Sequence, residues 1–173
     1  MNAVVLTISD RSFRGEMDDL SGPVLWELLT EAGFRVVAGH ILPDEATMIT
    51  ELLLRLADEE GVDLVVTTGG TGPAPRDVTP EATRAVIQRE MPGLAELLRW
   101  DGYRRTPCAV LARGVAGIRG QTLIINLPGN PRAVREGMEV LTPLLAPTIR
   151  LIHGQKLKKG MCAPDPPATQ RLQ

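Results

Sequence analysis

Aromatic side chains make up only 3% of this 173-residue chain: two Trp, one Tyr and two Phe. Proteins that hold single-stranded nucleic acid stack its bases on aromatic platforms, so this composition argues against that class. A basic excess is missing as well. The chain carries 19 Lys and Arg against 21 Asp and Glu, a formal net charge of −2. Duplex DNA is held by a clear positive field, which this balance does not supply. No apolar run approaches the roughly 18 residues of a membrane-spanning helix. Met1 to Asp10 contains no basic stretch ahead of an apolar one, so no secretory signal is expected there. Cys108 and Cys162 are far apart and share no metal-ligand spacing with each other or with His40 and His153. This argues against a disulfide framework and a zinc site, and the reducing cytoplasm is the expected compartment.

What is present is an ordinary globular composition. Hydrophobic residues account for 43% of the chain, enough to bury a core. The length suits one domain of roughly 150 residues. The apolar pattern alternates between two periods. Val4-Val5-Leu6-Thr7-Ile8 reads as a buried strand that ends in a polar loop, Ser9-Asp10-Arg11. Ser21-Gly22-Pro23 opens a helix that Gly33 closes. Strands are expected over Phe34 to Leu42, Asp63 to Thr68, Ala109 to Ala112 and Thr122 to Asn126. Helices are expected around Ile49 to Leu56, from Thr79-Pro80-Glu81, over about Gly93 to Arg104, and from Asn130-Pro131. Pro143 and Pro147 are expected to break or restart the last helix. Strands alternating with helices give a mostly parallel sheet covered on both faces. Residues 1 to 153 form the expected domain, and 154 to 173, rich in Lys and Pro, read as a flexible basic tail.

In an open parallel sheet, ligands bind beyond the carboxyl ends of the strands. Four polar loops fall there: Ser9-Asp10-Arg11, Pro43-Asp44-Glu45, Gly69 to Thr79, and Leu127-Pro128-Gly129-Asn130. The third is the most informative. Gly69, Gly70 and Gly72 let a backbone turn tightly and aim N–H groups at a phosphate. Thr71 adds a hydroxyl, Arg76 a positive charge, and Asp77 an oxygen ligand for the Mg²⁺ that usually accompanies polyphosphates. The loop is neither a Walker A sequence nor a dinucleotide fingerprint. A plain glycine-rich turn between strand and helix is the structural alternative.

As a string, Thr68-Gly69-Gly70-Thr71-Gly72 followed by Arg76-Asp77-Val78-Thr79-Pro80-Glu81-Ala82-Thr83 resembles the signature of the MogA/MoaB family of molybdenum-cofactor biosynthesis proteins. Four further stretches carry the resemblance in the same order. They are Ile8-Ser9-Asp10-Arg11, Leu42-Pro43-Asp44-Glu45, Arg89-Glu90-Met91-Pro92-Gly93 and Asn126-Leu127-Pro128-Gly129-Asn130-Pro131. The similarity spans about residues 3 to 153. It implies a three-layer α/β/α sandwich with a mostly parallel central sheet, usually assembled as a homotrimer. Nearest is the MogA branch, whose members use Mg-ATP to adenylylate molybdopterin and release pyrophosphate. A downstream molybdenum-insertion protein is an implied partner. A MoaB-like carrier that binds the pterin without catalysis is the alternative reading.

The resemblance also assigns roles. Asp44 and Asp77 match the family's key aspartates, catalytic or linked to Mg²⁺. Gly69, Gly70, Thr71 and Gly72 would cradle the ATP phosphates. Ser9, Asp10, Pro128, Gly129 and Asn130 would lie at the pterin end, where some members have Ser in place of Asn130. Each residue also has a local alternative. Asp44 and Asn130 suit helix caps, Asp77 an Asx-turn or a cap, and Ser9 with Asp10 a turn. Glu96 and Arg99 follow the Pro92-Gly93 motif at helical spacing and could face the site, with a solvated ion pair the safer reading. Cys108 reads as a small core residue. His40 and His153 have no carboxylate or thiol neighbour in sequence and stay outside the chemistry.

Overall fold

In the computed structural model, which describes residues 1–157, the β-branched runs become strands and the 3.6-period runs become helices. The strands are β1 (Asn2–Ile8), β2 (Arg35–Leu42), β3 (Leu64–Thr68), β4 (Arg89–Glu90), β5 (Ala116–Arg119) and β6 (Thr122–Leu127). The helices are α1 (Asp10–Phe13), α2 (Ser21–Glu31), α3 (Ala46–Asp58), α4 (Thr79–Val86), α5 (Pro92–Arg105) and α6 (Pro131–Ile152). The sheet runs in the order β2-β1-β3-β6-β5-β4. Its first four strands are parallel, and β5 and β4 close one edge antiparallel. Val5 stands between Gly39 and Val66, and Val66 in turn pairs with Ile125.

Successive side chains along a strand point to opposite faces, and each face has its own core. Val5, Val66 and Ile125 pack with α2, α5 and α6, around Leu25, Leu29, Met138 and Leu145. Val4, Leu6, Val65 and Ile124 pack with α3 and α4, around Ile49, Leu53 and Val86. The result is the expected three-layer sandwich. The chain leaves β1 for β2 on one side and returns to β3 on the other. The strand order therefore reverses at β1, and a crevice opens beyond the carboxyl ends of β1 and β3.

Several local expectations are corrected. Ala109 to Ala112 is not a strand: Pro107–Leu111 is a 3₁₀ turn, and the strand begins at Ala116. A short apolar run has no decisive period, and Pro107 at its start favours a turn. Cys108 consequently lies exposed rather than in the core. Ser9-Asp10-Arg11 is not plain loop: Ser9 accepts the Ser12 N–H and caps the short α1. Pro143 and Pro147 do not break α6, which runs unbroken from Pro131 to Ile152. The carbonyls they leave without an N–H partner belong to exposed Glu139 and Pro143, where water can serve them. The buried stripe Val134, Met138, Leu141, Leu145 and Ile149 keeps the helix on the sheet. His153 gains a carboxylate neighbour across the fold, its Nε2 lying 3.3 Å from Asp63 Oδ1. Positions 158–173 of the expected tail lie outside the described residues. Among the described residues no helix is long and apolar enough to cross a membrane.

Candidate active site

Four loops beyond the carboxyl ends of β1, β2, β3 and β6 meet around a cavity of about 900 Å³, which continues between α5 and α6. Ser9, Asp44, Gly69, Gly70, Thr71, Gly72, Asp77, Pro128, Gly129 and Asn130 are brought together on its wall. Asp10 and Arg76 are not on the wall; they stand behind it.

The β3–α4 loop is shaped by its glycines. Gly69 and Gly70 have positive φ values of 98° and 62°. A Cβ on Gly69 would run into the Ile8 carbonyl, and one on Gly70 into Thr79 Oγ1 and Asp44 Oδ1. The Pro128–Asn130 loop closes against it: a Cβ on Gly129 would press on Gly69 Cα at 3.0 Å, and Thr68 Oγ1 donates to Pro128 O at 2.8 Å. The Gly69 N–H is spent on Leu127 O at 3.1 Å. The N–H groups of Gly70, Thr71 and Gly72 donate to no partner among the described residues. Three consecutive donors left without a partner among the described residues are free to meet an anion.

Asp44 and Asp10 bracket each other. The Asp10 N–H donates to Asp44 Oδ2 and the Asp44 N–H to Asp10 Oδ1, each at 3.0 Å. This locks the end of β2 to the end of β1. Asp44 does not cap α3, whose N-cap is Glu45 without a side-chain bond. Burial pushes the Asp44 carboxyl up from its ordinary value. The negative charges of Asp10 and Asp77 add to that push, against the Asp10 N–H and Arg76. Asp10 moves the other way. Burial pushes it up, but the Asp44 N–H and the Arg76 guanidinium together hold it below the usual range. Arg76 forks onto Asp10 at 2.9–3.1 Å and reaches Glu45 at 3.1 Å, so its charge is engaged there rather than in the cavity.

Asp77 makes a turn of its own, accepting the Ala74 N–H on Oδ2 at 3.0 Å. It does not cap α4, which begins from Val78. Asn130 does cap α6, accepting the Arg132 N–H at 2.9 Å, which leaves its side-chain NH₂ group over. Arg99 is on the cavity wall and donates to Gly114 O at 3.0 Å, so it is no partner of Glu96.

Two residues escaped the sequence reading. Arg113 lies behind the β3–α4 loop, with Nε donating to Gly72 O at 2.8 Å and Nη2 to Asp77 O at 2.6 Å. Asn126 is buried and ties three elements together. Its side chain donates to Thr67 and Thr83 hydroxyls and accepts the Val115 N–H. Asn126 opens one of the stretches that carry the family resemblance but has no role assigned there, and Arg113 is a lone Arg beside an apolar run.

The wall carries six carboxylates against two guanidiniums, those of Arg99 and Arg132. A polyphosphate entering this field needs added positive charge. Among the described residues no three potential ligands stand close enough to make a complete metal site. Asp44 and Asp77, two oxygen donors beside the anion cradle, suit Mg²⁺, which keeps waters and takes its remaining ligands from phosphate.

Residues 4–147 match the family model described as a probable molybdopterin binding domain. The chain is 45% identical over 156 residues to the molybdopterin adenylyltransferase of Helicobacter pylori strain J99, covering 89% of each chain. It is 46% identical over 138 residues to the Escherichia coli K12 protein of the same name, covering 78% of this chain and 70% of that one. The crystal structure of the molybdopterin biosynthesis enzyme MoaB from Thermus thermophilus superposes with a TM-score of 0.85. It shares 50% identity and covers 91% of this chain and 99% of its own.

Proposed function

This chain belongs to the MogA/MoaB family of molybdopterin-binding proteins, and from that premise we propose that it transfers AMP from ATP to molybdopterin. The terminal phosphate of molybdopterin attacks the α-phosphorus of ATP. The bond from that phosphorus to the bridging oxygen breaks, and pyrophosphate leaves. One observation carries the reading beyond family membership: three unpaired N–H groups, from Gly70 to Gly72, share a cavity wall with Asp44 and Asp77.

The chain's own residues supply position and charge. Gly70, Thr71 and Gly72 donate to the ATP phosphates, and Gly69 sets the turn. Ser9, Pro128, Gly129 and Asn130 take the pterin end. Asp10 serves from behind by fixing the Asp44 backbone. Asp44 and Asp77 would hold Mg²⁺, which would supply positive charge against the phosphates. Aligning two bound reactants removes much of the barrier in such a transfer. A homotrimer, a downstream molybdenum-insertion protein as partner and a cytoplasmic setting come with the family resemblance and belong to the same proposal.

The test is turnover. Purified protein, molybdopterin, ATP and Mg²⁺ are expected to give adenylyl-molybdopterin and pyrophosphate. Asp77→Asn lowers the rate by about 10²-fold or more while the fold persists. Pterin binding without product would replace this reading with that of a carrier.

A further inference from the structure

We propose that Arg113 is the positioning residue for Asp77, acting from behind the cavity and never touching substrate; the inference rests on the transfer reaction above. Asp77 sits in an exposed loop, where its own turn with Ala74 is a local contact only. At the loop's end the Thr79 N–H and hydroxyl bond to Gly70 O and Gly69 O, and the exposed Arg76 side chain ties the loop to Asp10 and Glu45. Arg113 provides the long-range anchor on the main chain of Asp77 itself. Its guanidinium donates to Gly72 O and to Asp77 O, while its main-chain N–H donates to Thr71 O at 2.9 Å. The same guanidinium pairs with Glu81 on α4, which fixes its plane.

Arg113 is itself held. Val115 exchanges two bonds with Asn126, accepting the Asn126 N–H at 3.0 Å and donating to Asn126 Oδ1 at 3.1 Å. Arg99 holds Gly114 O at 3.0 Å. The anchor is therefore continuous from the buried strand β6 to the carbonyl of Asp77. A guanidinium can bridge two carbonyls and a carboxylate at once because its five donors are fixed in a plane. Lysine has one nitrogen and cannot span all three. Arg113 is absent from the cavity wall although Ala112 and Gly114 are on it, which separates its role from direct contact.

Two measurements on the full chain test this. In steady-state turnover, Arg113→Ala lowers kcat by about 10- to 100-fold, because a misplacement of about 1 Å costs that much. KM for molybdopterin stays within about threefold, and Arg113→Lys recovers only part of the loss. Combined with Asp77→Asn, the Arg113→Ala change costs much less than it does alone, since most of its effect passes through Asp77. In amide hydrogen exchange, the hydrogen-bonded amides of Ala74, Asp77 and Thr79 lose protection in Arg113→Ala while β1, β3 and β6 keep theirs.

Unchanged exchange in the loop overturns the proposal. So does a loss that adds in full to that of Asp77→Asn, or a loss of protection spread through the strands. If the wild-type protein transfers no AMP, the transfer reading fails by itself. The exchange result then still decides whether Arg113 positions Asp77.

Discussion

At the scale of single residues, two neighbouring aspartates are separated by their surroundings. Burial pushes the Asp10 carboxyl up, but the Asp44 N–H and Arg76 outweigh it and hold it below the usual range. Asp44 has burial and two negative neighbours, so it binds a proton more readily folded than unfolded. A carboxyl raised by folding costs stability as pH climbs from its unfolded to its folded pKa, and the cost persists above that window. Asp44→Asn removes the charge but keeps an oxygen to accept the Asp10 N–H. This variant is expected to melt higher than wild type at neutral pH. The difference should vanish below the ordinary carboxylate pKa, where both forms are neutral; thermal melts across pH 3 to 8 check the sign. Its AMP transfer should nonetheless fall by about 10²-fold, a stability gained at the expense of a strained charge site.

At the scale of elements, the loops after parallel strands supply the chemistry, while the helices around them mainly hold position. Helix α6 shows how packing overrides local rules. Two interior prolines leave two carbonyls without helical partners, yet five buried side chains on one stripe keep the helix straight enough to cover the sheet. Pro143 is exposed. Pro143→Ala restores a donor to Glu139 O, against some added freedom in the unfolded chain. A net gain of about 1 kcal/mol is expected, which raises Tm by about 2–4 °C. Calorimetry would register that shift, and a fall in Tm would show that the proline's rigidity outweighs the missing bond.

At the scale of the whole molecule, charge and apolar surface are distributed unevenly. The chain is near electroneutral, but the cavity wall is strongly acidic, so a divalent cation is expected to set how tightly ATP binds. Leu20, Trp100 and Leu111 are 65%, 69% and 54% exposed. A second copy packed over them would remove that apolar area from water. Sedimentation equilibrium is expected to give three times 18.7 kDa, as the proposed homotrimer requires. A monomer mass at micromolar concentration would remove the trimer from the proposal and leave the cavity, built within one chain, unaffected.

The sequence made the layered architecture legible, because alternating β-branched runs and 3.6-period apolar stripes are local patterns that survive without tertiary context. It also marked the loop from Gly69 to Asp77, since positive φ and close backbone approach admit few residues but glycine. Tertiary structure alone decided that Ala109 to Ala112 turns, that α6 tolerates its prolines, and that Cys108 is exposed. It also decided what Arg76 and Arg113 do. Each is one cation among 19 in the sequence. Only folding sets Arg76 against Asp10, 66 positions away, and Arg113 behind Asp77, 36 positions away. Contacts between residues so distant along the chain leave no periodic trace in it, so they could be read only once the strands had aligned.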